Sequence, residues 1–149
     1  MATSHVDYSH RSAVQKLGVR EGDRVEITGD VGPGLRRDVK EVTGRGLVKS
    51  GDVDGAIVLV ESLEAAKACL ETYRARLRDD GYLWLITWKR GHDSYINQMH
   101  LVPPAKERGL IDNKTCSVDH ERSGIRFVVP RALRKAAAKA ASGDGNGKG

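Results

Sequence analysis

Three glycines and a proline lie within six residues, 29–34, directly after a short β-rich segment. A glycine-rich turn between a strand and a helix exposes backbone N–H groups at a helix N-terminus, where a phosphate or carboxylate can bind. A purely structural turn is the favoured interpretation, because a lone glycine loop is a motif of low specificity, and ligand binding is the alternative. The candidate ligand-binding residues of this loop are Gly29, Asp30, Gly32 and Gly34.

A second candidate site follows a Trp-rich segment and contains Lys89, Arg90 and His92. In a parallel sheet this segment and the glycine loop leave the same carboxyl edge. A cationic cluster at that edge could hold an anionic ligand. A solvated loop is the simpler alternative, because lysine and arginine are common on protein surfaces.

Polar side chains also flank a strand predicted near the end of the chain. Asp112, Asn113 and Lys114 precede it, and the segment from Asp119 to Arg122 follows it. Both groups could face a ligand. They could equally make turns, because Asp and Asn readily bond to nearby backbone.

Other chemistry finds little support in the residue pattern. The five histidines have no metal-ligand spacing and neither cysteine belongs to a Cys-x-x-Cys unit, so no metal site is predicted. Cys69 and Cys116 are interpreted as small hydrophobic residues rather than nucleophiles, and their number suits a reducing cytoplasm. The chain has no Gly-x-Ser-x-Gly, P-loop lysine or His-Glu-x-x-His motif. We therefore predict no catalytic residue and no cofactor, and the balance favours a protein that is not an enzyme.

The composition, with 39% hydrophobic and 30% charged residues over 149 positions, indicates one folded domain. We expect a flexible arm at 1–10, a domain at 11–130 and a disordered, basic Ala/Lys/Gly-rich tail at 131–149. The tail carries a net charge of +4 out of the total of +5. A solubilising role is therefore the favoured interpretation of the tail, and weak, salt-dependent nucleic-acid contact through it is the alternative. No signal peptide or membrane segment is predicted.

The elements that must position these residues alternate between strands and helices. Strands are predicted near 24–28, 55–60 and 82–88, with a turn at 79–81, and a terminal hairpin near 114–129. A helix that includes Ile96 and Met99 is predicted after the third strand, interrupted by Pro103-Pro104, and the predicted core includes Leu59, Leu70, Leu85 and Phe127. The second and third strands are apolar on both faces, and a helix of 3.6-residue periodicity over 63–78 separates them. This order predicts the α/β class: a small three-layer, Rossmann-like, mostly parallel sheet with a C-terminal antiparallel hairpin.

The segment Gly109–Asp119, GLIDNKTCSVD, followed by Ser123–Val128, SGIRFV, resembles the hallmark of an uncharacterised bacterial family. That is the domain-of-unknown-function family numbered three-zero-five-two. The segments Asp80–Leu85 and Lys16–Val25 are also similar to it, and the likeness covers roughly residues 8–131. The resemblance implies a small cytoplasmic protein and supplies no catalytic residues.

The order of elements, together with Asp30-x-Gly32-x-Gly34, more loosely resembles the Rossmann-like methyltransferase fold. This chain looks shortened relative to that fold, because the stretch between Gly44 and Gly55 is too short for a strand-helix-strand unit. Shortening there removes the acidic residue that usually contacts the adenosine ribose. Pro33 also lacks a backbone N–H.

These observations favour a non-catalytic, Rossmann-like binding or regulatory module, acting on an unknown protein partner or a small anionic ligand. The first alternative is a reduced S-adenosylmethionine-dependent methyltransferase that uses the glycine loop. The second is nucleic-acid association through the basic tail.

Overall fold

A computed structural model describes residues 12–134 and confirms the predicted α/β class. The chain runs through helix α1 (Ala13–Lys16), strand β1 (Val25–Thr28), helix α2 (Leu35–Thr43), strand β2 (Val53–Leu59), helix α3 (Leu63–Arg76), strand β3 (Leu77–Trp88), a 3₁₀ turn (Gln98–Leu101), helix α4 (Val102–Glu107), strand β4 (Ile111–Ser117) and strand β5 (Arg122–Val128).

All five strands form one sheet in the order β1-β2-β3-β5-β4. Strands β1, β2 and β3 are parallel, whereas β5 pairs antiparallel with both β3 and β4. The carboxyl ends of the first three strands therefore meet the start of β5 at one edge of the sheet. The predicted parallel sheet and terminal hairpin are both confirmed.

The central strands are apolar on both faces because each face is covered. Trp84 and Ile86 of β3 point into a core shared with α1 and α2, while Leu83 and Leu85 point into one shared with α3 and α4. Helices α2 and α3 thus lie on opposite faces of the sheet. Leu70, Leu85 and Phe127 are fully buried as predicted, whereas Leu59 is only half-buried.

Helix α3 begins where predicted, with the Ser62 hydroxyl accepting a bond from the Ala65 N–H at 3.0 Å. It ends earlier than expected, at Arg76. The predicted turn at 79–81 is wrong, because these residues belong to the extended start of β3. Pairing of Leu77 with Val53 of β2 holds this polar stretch in strand conformation.

Residues 44–52 connect α2 to β2 without any strand of their own. In the common doubly wound order the strand that carries the glycine loop is central, with further strands outside it. Here β1 is the edge strand, and the short connection contacts it through a bond from the Val48 N–H to the Val25 carbonyl at 2.9 Å. The shortening predicted between Gly44 and Gly55 is present.

The region after β3 differs most from expectation. A helix containing Ile96 and Met99 was predicted, with the Pro103-Pro104 pair interrupting it. Instead a 3₁₀ turn capped by Asn97 leads into α4, and the prolines occupy the first turn of α4, where missing N–H groups cost nothing. Strand β4 starts earlier than predicted, at Ile111, so Asp112 and Asn113 lie within it, beside a register shift.

Two predictions concern the termini. The tail was predicted to be disordered from residue 131, but residues 131–134 form a helical turn bonded to the Pro130 carbonyl. The predictions for the arm at 1–10 and for the remainder of the tail fall outside the described residues.

Candidate functional site

The carboxyl edge of the sheet brings four segments together. The glycine loop follows β1, Glu61 follows β2, and the Lys89–His92 loop follows β3, while Arg122 opens β5 directly opposite Trp88. Because α2 and α3 pack on opposite faces, the crevice between the ends of β1 and β2 is a topological switch point. Open α/β sheets bind ligands at such crevices.

The guanidinium of Arg122 connects the segments that meet at this edge. Arg122, with only 5% of its surface exposed, donates from Nε to the Asp30 carbonyl at 2.8 Å. Its Nη2 lies 2.9 Å from Asp30 Oδ1, and its Nη1 donates to Asp119 Oδ2 at 2.8 Å. We call Arg122, Asp30 and Asp119 the Arg122 bridge. It satisfies a buried cation with one backbone carbonyl and two carboxylates, the pairing that a buried charge requires.

The ring of Trp88 forms the floor of the bridge. The guanidinium of Arg122 lies 4.5 Å from the ring centroid, a cation–π distance. The indole Nε1 donates to Glu61 Oε2 at 2.8 Å, which links the floor to the end of β2. His92 stacks on the same indole at 4.3 Å with an interplanar angle of 5°.

The glycine loop is shaped to contact its neighbours. A Cβ on Gly29 would lie 3.0 Å from the Leu59 side chain, so the two strand ends touch at the switch point. A Cβ on Gly32 would lie 3.0 Å from Asp119 Oδ2, and its φ of +122° favours glycine. The loop is therefore packed against the β4–β5 turn as well as against β2.

A basic cleft of about 310 Å³ lies beside the bridge, lined by Lys89, Arg90, Gly91, His92, His120 and Glu121. Two loops supply its polar groups, one after β3 and one between β4 and β5. The Lys89 N–H donates to the Glu121 carbonyl at 2.8 Å, which fixes the two loops relative to each other. The Lys89 ammonium donates to Ser117 Oγ at 2.8 Å, and Arg90 stacks over Tyr95 at 5.6 Å.

A second cleft, of about 300 Å³, lies on the other side of the Lys89–Arg90 segment. Its wall includes the exposed side chains of Tyr95 and Met99. Gln98 also lines it, and its amide donates to Thr87 Oγ1 at 3.1 Å, which holds this wall against the end of β3.

The structure brings together some of the predicted residues and separates others. Gly29, Asp30, Lys89, Arg90 and His92 all lie at the carboxyl edge, as the parallel sheet requires. Gly32 and Gly34 shape the same loop through their positive φ angles.

Asp112, Asn113 and Lys114 lie apart from this cluster, on β4 at the opposite side of the sheet and toward its amino end. Lys114 contacts the Lys16 carbonyl of α1 at 3.4 Å. These three residues therefore share no site with the glycine loop.

Sequence reasoning did not single out Arg122 or His120. Both belong to the polar segment after β4, which was interpreted as either ligand-facing or turn-forming. The turn interpretation holds for Asp119, whose Oδ1 accepts bonds from the N–H groups of Glu121 and Arg122 at 2.8 Å. No local signal reveals that Arg122 is buried.

The cysteines behave as small core residues. Burial raises the pKa of the Cys69 thiol to about 12, with the nearby Glu26 charge adding to the effect. Burial also raises the pKa of Cys116. Both thiols are therefore protonated near neutral pH and are poor nucleophiles.

Among residues 12–134, no three His, Cys, Asp or Glu side chains are grouped as a metal site would require. Over the same range, no helix has the length and apolar character needed to cross a membrane.

Several solved structures with a similar fold are SAM-dependent methyltransferases. A SAM-dependent methyltransferase from Aquifex aeolicus matches with a TM-score of 0.62 and 13% identity, over 78% of this chain and 87% of that one. A TehB-like SAM-dependent methyltransferase from Corynebacterium glutamicum matches at 0.50 and 11%, over 85% and 94%. Aeropyrum pernix fibrillarin, in complex with natively bound S-adenosyl-L-methionine, matches at 0.50 and 19%, over 80% and 76%. At these identities the similarity concerns the fold alone.

No curated protein matches the chain in sequence. A family model does match, over residues 14–131, which include every strand of the sheet and the whole Arg122 bridge. The resemblance noted in GLIDNKTCSVD is thereby confirmed, and the chain belongs to the family described as "Protein of unknown function (DUF3052)".

Proposed function

We propose that this protein is a non-catalytic, Rossmann-like binding module that takes a small anionic ligand in the basic cleft. The observation that carries the proposal is the convergence of Lys89, Arg90 and His92 with His120, from two separate loops, on one cleft at the carboxyl edge. This is the edge at which open α/β sheets bind their ligands.

The chemistry of the cleft suits a carboxylate or a phosphate. Lys89 supplies a point charge, while the planar guanidinium of Arg90 can pair with two oxygens of one anion. Glu121 lines the rim but lies 3.5 Å from the buried Arg122, which offsets part of its negative charge. An anion is therefore favoured over a cation at this position.

The residues of the glycine loop do not fit S-adenosylmethionine, the cofactor of the similarly folded methyltransferases. The connection at 44–52 contains no strand from which an acidic residue could reach a ribose. The Asp30 carboxylate and carbonyl are occupied by Arg122, and Pro33 offers no N–H. Because Arg122 already contacts the glycine loop, the loop supports a binding role rather than methyl transfer.

Calorimetric titration with S-adenosylmethionine distinguishes the two functions. We expect no measurable heat of binding to the full chain. A micromolar dissociation constant that Gly32→Val abolishes would instead establish the methyltransferase alternative.

Binding of the anion is tested with inorganic phosphate and with citrate as probes, followed as a shift in melting temperature. At about 100 times the dissociation constant, a ligand stabilises the folded state by about 2.7 kcal/mol, which raises the melting temperature by several degrees. Arg90→Ala should remove most of this shift. Lys106→Ala, an exposed lysine on α4, is the matched control and should leave it unchanged. Equal shifts in both variants would contradict the proposed site.

A further inference from the structure

We infer that Arg122 is an internal occupant of the carboxyl edge: its guanidinium takes the place of a ligand between the glycine loop and the end of β3, and removing it creates a binding site for a small guanidinium cation. The inference concerns the Arg122 bridge and is independent of the anion proposed for the basic cleft.

The first argument is the completeness with which the guanidinium is held. Every nitrogen of the Arg122 head group has an oxygen partner within 2.9 Å, and its central carbon lies over the Trp88 ring, 4.5 Å from the centroid. Contact with an aromatic face, combined with bonds to surrounding oxygens, is how proteins bind a guanidinium cation. The pocket is therefore built for this chemical group.

The second argument is the origin of the oxygens. Asp30 belongs to the glycine loop and is 92 residues away in the sequence, whereas Asp119 belongs to the turn that precedes Arg122 itself. Two separate segments converge on one cation, as they would around a bound molecule. The side chain of Asp30 is 67% exposed, and its contact with Arg122 is the ion pair that this carboxylate makes within residues 12–134.

The third argument is access from solvent. Arg122, although itself buried, borders an open cleft of about 350 Å³ that Pro33, Asp119, His120 and Glu121 also line. A small cation can reach the bridge through this cleft once the side chain is shortened. An empty bridge would retain two carboxylates and an indole face without their partner.

The test is hydrogen exchange of the backbone amides of residues 29–34 in Arg122→Ala, with and without methylguanidinium. We expect exchange in the variant to accelerate by roughly tenfold or more, because bonds to a charged group are lost. Methylguanidinium at a non-denaturing concentration should restore most of the protection in the variant and leave the wild type unchanged. Sodium chloride at equal ionic strength should restore none.

Arg126→Ala is the matched control, because this arginine lies on the same strand and stacks over Tyr82 at the other end of the sheet, at 5.3 Å. It should leave exchange at 29–34 unchanged. If Arg122→Ala does not fold, Asp30→Ala tests the bridge from the exposed side: loop exchange should rise, and methylguanidinium should restore none of the protection, because Arg122 still fills the site.

Unchanged loop exchange in Arg122→Ala, or a methylguanidinium effect no larger than that of sodium chloride, would overturn the inference. A loop that is loosened by Arg126→Ala to the same extent would overturn it as well. Binding of phosphate in the basic cleft is measured separately, so failure of one proposal is distinguishable from failure of the other.

Discussion

Among residues 12–134, two charged side chains are buried, one at each end of the sheet. The two ends supply the partners of these buried charges in different ways. At the amino end, Asp23 is 6% exposed and accepts a bond from the buried Tyr82 hydroxyl at 2.9 Å. Its other partner is the nearby Arg20, through the backbone N–H at 3.0 Å. At the carboxyl end, the buried Arg122 pairs with the carboxylates of Asp30 and Asp119, which belong to two loops and are partly exposed.

The amino end is held by packing in the core, whereas the carboxyl end is held by ion pairs with two loops. Tyr82 is fully buried, and its ring lies where a Cβ of Gly55 would be, so the amino end is fixed by the packed core. The carboxyl end is held by ion pairs between Arg122 and the carboxylates of two loops. We therefore expect substitutions at the amino end to cost the most stability.

The largest effect is expected from Gly55→Ala at the amino end. The new Cβ would overlap the Tyr82 ring, so the ring must shift and its bond to Asp23 is disturbed. Overpacking of this kind costs about 1–3 kcal/mol of unfolding free energy or more, measured by urea denaturation. Gly46→Ala, which has nothing within 4 Å, is the control and should stay within about 0.5 kcal/mol of the wild type. Similar losses in both variants would show that the amino end is not tightly packed.

Tyr82→Phe should follow, with a loss of about 1–3 kcal/mol at neutral pH, because Asp23 remains buried without the hydroxyl. Burial, with the Asp23 charge adding to it, raises the pKa of Tyr82 well above its ordinary value. The folded state therefore retains this proton more strongly than the unfolded state.

The sign of the pH dependence follows from that shift. The contribution of Tyr82 is fully present below about pH 10, the ordinary tyrosine pKa, and is lost as the pH rises further. Alkaline melts of Tyr82→Phe should fall less steeply than those of the wild type. Burial also raises the pKa of Tyr73, so Tyr73 continues to contribute to the alkaline loss of stability in this variant. The control is Tyr95→Phe, a substitution of an exposed residue, which should reproduce the wild-type curve. A wild-type curve for Tyr82→Phe would contradict the stabilising role of the Tyr82 hydroxyl.

The smallest effect is expected from Arg20→Ala. The side chain of Arg20 is 54% exposed and lies 3.4 Å from Asp23, so its ion pair is screened by solvent. We expect a loss below about 1 kcal/mol, smaller still at high salt. A loss as large as that of Tyr82→Phe would mean that charge, rather than the neutral hydroxyl, holds the amino end.

Periodicity was sufficient to predict the buried elements. Residues 56–59 of β2 and 82–88 of β3 are almost entirely apolar, and α3 repeats apolar residues at helical spacing behind a serine cap, so local pattern and final environment agree. The polar start of β3 and all of β4 were less accessible to prediction. Their side chains are largely exposed, and only pairing with β2 and β5 makes them strands.

For the site, the rule that parallel strands share a carboxyl edge was enough to bring the glycine loop and the Lys89 loop together. Arg122 was not predictable, because a buried arginine has the same sequence signature as one in a solvated turn. Its burial depends on a cross-strand tryptophan, Trp88, and on a loop 92 residues away. Contacts of that range leave no local periodicity.

The position of β1 at the margin of the sheet has a consequence for cooperativity. A four-residue strand with one neighbour is the kind of element that opens first in native-state fluctuations. The bond between Asp30 and Arg122 joins the loop that extends from this strand to β5, on the far side of β3. Opening of β1 and its loop would therefore break the Asp30–Arg122 contact, although β5 itself stays paired with β3 and β4.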